Sequence, residues 1–141
     1  MSILSFFSRG MVEDIGELNT FCLKEEDRGS ATSQLINLER AAVVIIKLDK
    51  HSNYWFSKHV KMCDYGIFIE KSNGISIKLI ELKSTNLKQK EVSNKFISAE
   101  RLCNFFIDIY NEQNDKKTKV CYTKILLYEK KIRSKKYANK N

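Results

Sequence analysis

Two acids and a lysine lie within apolar segments in the middle of the chain. Asp64 stands near the start of CDYGIFIE, and Glu81 and Lys83 lie near the end of ISIKLIELKS, which follows a short turn. Burying a carboxylate is costly unless a partner or a metal ion compensates its charge. Two carboxylates a few Å apart repel each other, and a hard divalent cation relieves that repulsion while accepting oxygen ligands. These residue types therefore indicate a divalent-metal site.

The segments around these residues predict strands that bring them together. Glu81 and Lys83 share a strand face because residues i and i+2 project to the same side. The sequence KSNG at 71–74 predicts a tight hairpin, since Asn-Gly supplies positive φ angles. Asp64 then lies near the end of an antiparallel neighbour, with the carbonyl of Leu82 as a further candidate ligand. A metal ion there activates water and stabilises charge on a phosphate, and Lys83 can orient the water or neutralise the charge.

The spacing of Glu81 and Lys83 is not distinctive by itself. In a chain this rich in lysine, an acid two residues before a lysine is expected about twice by chance. The pattern occurs three times, at Glu81–Lys83, Asp115–Lys117 and Glu129–Lys131. Only Glu81 is preceded, across a hairpin, by an apolar strand that carries an acid. The residues alone are equally compatible with a simple ion pair between Glu81 and Lys83.

The remaining segments predict the elements that hold this hairpin. Apolar spacings of three and four predict a helix over 2–22 and a second helix over 86–112, the latter opened by a capping box of Asn86 and Gln89. The second helix has a buried stripe of Val92, Phe96, Ala99, Cys103, Phe106 and Tyr110. Polar residues 24–33 predict a loop, 34–40 a short helix or strand, 41–48 a strand, 50–61 a loop or irregular strand, and 119–128 a final strand. The order predicts an α/β (α+β) fold, in which helices flank a small mixed sheet with an antiparallel three-strand meander.

Length and composition are those of one globular domain spanning residues 1–141. Apolar residues make up 43% of the chain and charged residues 30%, which is typical of folded proteins. No apolar run approaches a membrane span, and the N-terminus lacks the features of a signal peptide. We therefore expect a cytoplasmic protein without a membrane partner, with its four cysteines reduced.

The net charge of +8 comes entirely from the end of the chain. Residues 1–114 contain 15 basic and 15 acidic residues, whereas residues 115–141 contain 10 basic and 2 acidic ones. The excess extends into a basic C-terminal tail over 130–141, which is either a solvated end or a segment that attracts phosphate through counterion release. The tail's candidate nucleic-acid-binding residues are Lys130, Lys131, Arg133, Lys135 and Lys136.

The hairpin and the helix after it resemble the PD-(D/E)XK nuclease superfamily, or restriction-endonuclease-like fold. The resemblance covers roughly residues 40–100, from an apolar strand ending in Asp49 to the helix that follows ELK. It implies a small stand-alone nuclease in which Asp64 and Glu81 bind Mg²⁺ (or Mn²⁺) and Lys83 is the catalytic base. It also implies a nucleic-acid substrate, DNA ahead of RNA. Because the body of the chain is neutral and only its end is basic, we expect weak, salt-sensitive binding unless the protein forms a homodimer or joins a larger complex. No base-recognition element is evident, so we expect little sequence specificity, and endonuclease and exonuclease activity are both compatible with the sequence.

Several positions depart from the pattern of that superfamily. Ser84 replaces a frequent glycine, and Cys63 stands where many members have proline. Lys95 falls near the place of a glutamine on the following helix, where it is either a phosphate contact or a solvated lysine. Some members add an acid from the first helix, for which Glu13, Glu17 and Glu39 are alternatives.

Two other functions remain open from the sequence. One is a non-catalytic nucleic-acid-binding or protein-interaction module on the same fold, with Glu81 and Lys83 as an internal ion pair. The other is a zinc-binding regulator that uses His51, His59 and Cys63, although their spacing matches no common zinc motif.

Overall fold

The structure is a computed structural model. The part of the chain that it describes contains a four-stranded sheet, a two-stranded sheet and three helices. The described residues are 2–13, 20–24, 33–37, 42–55, 60–83 and 88–128.

The helices and strands alternate along the chain. The helices are α1 (Ile3–Phe6), α2 (Leu48–Trp55) and α3 (Gln89–Asn114). The strands are β1 (Thr20–Lys24), β2 (Ser33–Asn37), β3 (Ala42–Lys47), β4 (Tyr65–Lys71), β5 (Gly74–Lys83) and β6 (Val120–Tyr128).

The main sheet has the strand order β3-β4-β5-β6. The first three strands form an antiparallel meander, and β6 pairs parallel to β5. Parallel neighbours need a long crossover connection, and α3 provides it. The predicted mixed α/β fold with a three-strand meander is therefore confirmed. The strands β1 and β2 form a separate antiparallel pair.

Alternating side chains give the main sheet two apolar faces. On one face, Ile75, Ile77 and Leu79 of β5 belong to the same cluster as the buried side of α3. On the other face, Ile80 and Leu82 pack in a cluster that includes Leu23 of β1. Glu81 and Lys83 occupy odd-numbered positions of β5, so they project toward α3.

The long helix α3 buries the stripe that the sequence predicts. All six residues of that stripe are buried. The predicted capping box is wrong, because the N-cap residue is Lys88 and its side chain makes no capping hydrogen bond; Asn86 lies outside the described residues. The helix ends at Asn114. The C-cap residue Asp115 has a left-handed φ of 50°, and its backbone N–H donates to the carbonyls of Asn111 and Glu112.

Two predicted elements are wrong. Residues 2–22 do not form one helix, because α1 has four residues and the chain enters β1 at Thr20. Val12 instead makes an antiparallel bridge to Ile46 at the edge of β3, so strand pairing outweighs the helical spacing of this segment. The helix α2 covers 48–55, so it begins at the last residue of the predicted strand 41–48 and replaces the first part of the predicted loop or irregular strand 50–61. Asp49 favours its first turn through the helix dipole. The ambiguous segment 34–40 contains β2.

The hairpin between β4 and β5 forms as predicted, but its turn has a different geometry. Lys71 pairs with Gly74, which leaves Ser72 and Asn73 as the two loop residues. Among the described residues, positive φ angles occur only at Gly74 (151°) and Asp115 (50°). A Cβ at Gly74 would lie 2.4 Å from the carbonyl oxygen of Lys119. The glycine is therefore needed at the strand end, where it packs against the backbone before β6.

Candidate active site

The end of the β4–β5 hairpin brings Asp64 and Glu81 together on the α3 face. The ladder ends with Tyr65 opposite Ile80, so Asp64 lies one residue further, across from Glu81. Opposite residues of an antiparallel pair project to the same side. Both side chains are buried, Asp64 being 6% exposed and Glu81 1%. The geometry thus places two carboxyl groups side by side in a largely apolar environment.

Asp64 is tied to β5 through its side chain. The backbone N–H of Leu82 donates a 2.7 Å hydrogen bond to Asp64 Oδ2. In an extended strand the N–H and C=O of one residue point to the same side. The carbonyl of Leu82 therefore also faces the side of Asp64, beyond the last rung of the β4–β5 ladder. This orientation suits the ligand role predicted for that carbonyl.

Glu81 lies between two lysines. Lys95 Nζ, on the first turns of α3, donates a 2.8 Å hydrogen bond to Glu81 Oε2, and Lys83 Nζ is 3.9 Å from the same oxygen. The Lys95 side chain is only 17% exposed and that of Lys83 20%. Glu81 Oε1 is buried and has no hydrogen-bond partner within the described residues. One oxygen of this carboxylate is thus neutralised, whereas the other is buried without a donor from the described part of the chain, and the Glu81 carboxyl also interacts directly with that of Asp64.

The pKa values in this cluster shift as its burial requires. Burial, followed by the charge of Asp64, raises the pKa of Glu81 from an ordinary 4.5 to about 7. Burial alone would lower the pKa of Lys95, but the hydrogen bond and charge of Glu81 outweigh it and the pKa is raised. The site therefore favours extra positive charge beside Glu81.

Asp49 and Lys47 are site residues to which the sequence assigned no role. Asp49, in the first turn of α2, interacts with Asp64, and burial is the main cause that raises the Asp49 pKa to about 6. Lys47 is buried at the end of β3, with its Nζ 3.9 Å from Asp49 Oδ1 and 5.2 Å from the centre of the Tyr65 ring. The sequence signal for Asp49 was its position directly after the apolar segment 41–48.

The donor set suits a hard divalent cation that retains water ligands. It comprises the carboxylates of Asp64 and Glu81 and the carbonyl of Leu82, and it contains the buried Oε1 that lacks a protein partner. No group of three or more His, Cys, Asp or Glu side chains is arranged around a common point in the described part of the chain. Mg²⁺ is usually bound by one or two carboxylates plus waters, so these residues fit it without a complete protein cage.

Of the other predicted site residues, some lie within the described part of the chain and the rest lie outside it. The backbone N–H of Glu13 donates to the carbonyl of Ile45 in β3. Burial lowers the pKa of His51, and the charge of Glu13 opposes that shift. Cys63 is buried and donates to the carbonyl of Tyr65, and all four cysteines are free thiols. The remaining candidates lie outside the described residues: Glu17, Glu39, His59, Lys130, Lys131, Arg133, Lys135 and Lys136.

Comparison with known proteins gives no identification. Searches against protein-family models, curated proteins and solved structures find no match to this chain. No helix among the described residues has the length and apolarity to cross a membrane. A function for the protein must therefore be argued from the chemistry of the site.

The raised pKa values predict that the metal-free protein loses stability as pH rises. A carboxyl group whose pKa is higher in the folded state binds its proton more tightly there. For Glu81, this contribution is complete below about pH 4.5 and is lost as pH rises through about 7. We expect the melting temperature in EDTA to fall across that window and to fall less in Glu81→Gln, whose amide remains neutral. An equal fall in both proteins, measured by circular dichroism, would exclude Glu81 as its source.

Proposed function

We propose that this protein is a metal-dependent nuclease that hydrolyses phosphodiester bonds, with DNA as the first candidate substrate. The observation that carries the proposal is the meeting of two buried carboxylates, Asp64 and Glu81, with Lys83 on the same face. A buried carboxylate pair costs free energy in a metal-free protein. A site that retains such a pair, together with an unused Glu81 oxygen, is suited to divalent-cation binding.

Each residue has a distinct task in this proposal. Asp64, Glu81 and the Leu82 carbonyl would hold Mg²⁺ or Mn²⁺, with the Leu82 N–H keeping the Asp64 carboxylate in place. The ion, when bound, supplies an acidified water and positive charge for the phosphate. Lys83 Nζ lies 3.9 Å from Glu81 Oε2 and its side chain is 20% exposed, so as the neutral amine it would accept a proton from the attacking water, and as the ammonium it would orient that water. Lys95 adds a second positive charge, which would stabilise the charge that develops on the phosphate oxygens.

The order of the elements supports a restriction-endonuclease-like arrangement. The resemblance of the hairpin and helix to the PD-(D/E)XK superfamily implies a meander that carries the acids, followed by a helix. In this protein, the helix α3 continues into β6, which lies parallel to β5. The acids and Lys83 lie at the end of the sheet where β4 begins and β5 ends, and Lys83, with a side chain that is 20% exposed, is the residue of the three that a nucleic-acid strand would meet first in this proposal.

A specific observation favours a second candidate, a non-catalytic nucleic-acid-binding or protein-interaction module. Lys95 already satisfies one Glu81 oxygen at 2.8 Å, and Lys83 adds charge at 3.9 Å. In this alternative, the three side chains form a structural ion-pair network and Asp64 serves only as a hydrogen-bond acceptor for β5. The alternative expects no specific Mg²⁺ or Mn²⁺ binding.

Metal titration and a cleavage assay together separate the two functions. We expect calorimetry to show one Mn²⁺ site that is lost in Glu81→Gln. We also expect Mn²⁺-dependent cleavage when the protein is incubated with supercoiled, linear, branched and single-stranded DNA and with RNA. Lys83→Ala should abolish cleavage while keeping the metal site. Absence of metal binding would favour the interaction module, and cleavage that persists in Lys83→Ala would refute the role of that lysine.

A further inference from the structure

A groove lies at the other end of the sheet. It has a volume of about 490 Å³ and is formed between the β4–β5 turn and the segment that joins α3 to β6. Ile75 lines this groove, whereas Glu81 lies six residues further along β5. At about 3.3 Å per residue, this separation is about 20 Å. The groove is therefore distinct from the carboxylate site.

The groove is strongly basic. Four lysines line it, and Glu70 is the acid among its lining residues, so their formal charge is +4 − 1 = +3. The Glu70 carboxylate is already engaged, because its Oε1 accepts hydrogen bonds of 3.3 Å from the Ile3 N–H and from the Tyr110 hydroxyl. These hydrogen bonds hold the Glu70 carboxylate in place, and the groove has a net positive charge even with Glu70 counted. The four lysines are Lys71, Lys116, Lys117 and Lys119, all of them exposed.

The backbone that carries these lysines is held in place. The Ile75 N–H donates a 2.9 Å hydrogen bond to the Lys119 carbonyl, which ties the turn to the segment before β6. The Lys116 N–H donates to the Asn111 carbonyl at 3.0 Å, and the Thr118 N–H donates to Asn111 Oδ1 at 3.2 Å. A fixed backbone lowers the entropy cost of arranging several ammonium groups around one anion.

We propose that this groove binds the phosphate backbone of a nucleic-acid strand. Lysines contributed by two segments on either side of one groove match a polyanion that carries regularly spaced charges, and neutralising phosphates releases counterions. The groove has no base-reading function in this proposal, since its ligands are phosphates. Binding here does not require the carboxylate site to be catalytic, so the proposal goes beyond the nuclease function.

A charge-matched comparison in EDTA tests this site without any cleavage. The groove variant is the full-length protein with Lys116→Gln, Lys117→Gln and Lys119→Gln. The control variant removes the same charge from exposed positions outside the groove, with Arg9→Gln, Arg101→Gln and Lys124→Gln. Fluorescence anisotropy with a labelled DNA oligonucleotide should show at least about tenfold weaker binding for the groove variant only. A plot of log K against log salt has a negative slope. Its magnitude should decrease by about 0.7 for single-stranded DNA, or about 0.9 for duplex DNA, for each phosphate that the variant no longer neutralises.

A double variant and a metal-binding measurement distinguish loss of the groove from loss of the fold or of the carboxylate site. A Lys117→Gln, Lys119→Gln double variant retains Lys116, whose Nζ lies 5.7 Å from the centre of the Tyr110 ring, and should show a smaller loss in the same direction. Mn²⁺ binding should be unchanged in the groove variants, which separates this test from that of the nuclease. Equal DNA affinity in the groove and control variants would overturn the proposal. A groove that binds inorganic tripolyphosphate by calorimetry but contributes nothing to DNA affinity would also overturn it.

Discussion

Asp64→Asn is expected to lower metal-dependent cleavage by about 1,000-fold or more. The substitution removes one negative charge from the metal site but leaves a side-chain oxygen that can accept the Leu82 N–H. The fold should therefore persist, and the loss should arise from metal and phosphate chemistry. The direct measurements are the rate of DNA cleavage at saturating Mn²⁺ and the Mn²⁺ affinity from calorimetry.

A control substitution distinguishes the effect of removing a charge at the site from the effect of removing a charge elsewhere on the protein. Asp108 is an exposed acid on α3, so Asp108→Asn makes the same chemical change away from the site. We expect Asp108→Asn to cleave at the wild-type rate and Asp64→Asn to melt near the wild-type temperature. Wild-type cleavage by Asp64→Asn would show that Asp64 is a structural acceptor for β5 and would remove the basis of the proposed metal site.

Lys95→Met is expected to have opposite effects on metal binding and cleavage. Lys95 Nζ and a metal ion both require Glu81, and at an effective dielectric constant of 20 an ammonium group and a divalent ion about 5 Å apart repel by roughly 7 kcal/mol before water and counter-ions screen them. Removing the lysine should therefore tighten Mn²⁺ binding by about tenfold or more. Cleavage should fall by about tenfold to 100-fold, because the phosphate loses a nearby positive charge. Methionine retains most of the apolar length of the lysine side chain.

Lys90→Met is the control for this prediction, because Lys90 is exposed on the same helix. It should change neither metal affinity nor cleavage. If Lys95→Met instead binds Mn²⁺ more weakly, Lys95 holds Glu81 in its ligand geometry and does not compete with the ion. Calorimetry distinguishes these outcomes even in the absence of nuclease activity.

The sequence determined the part of the fold that depends on local spacing. Apolar segments on either side of 71–74 predict the hairpin and place Asp64 and Glu81 near one end of the sheet. The structure decides the register, because the loop residues are Ser72 and Asn73 in place of the predicted Asn-Gly pair, and this sets Asp64 opposite Glu81. The helix α3 was equally predictable, since its buried stripe recurs at spacings of three and four from Val92 to Tyr110. These elements can be predicted from the sequence because the apolar residues within one helix or strand recur with a single period.

Only the tertiary structure decided which distant groups meet at the site. Lys95 reaches Glu81 across 14 residues, a contact set by the packing of α3 on the sheet. Asp49 lies near Asp64 because α2 begins directly after β3, in a segment whose sequence favoured a loop. Strand pairing likewise overrode the helical spacing of residues 2–22. A helical spacing records only which residues share a face, whereas contacts between elements depend on how several such faces pack together.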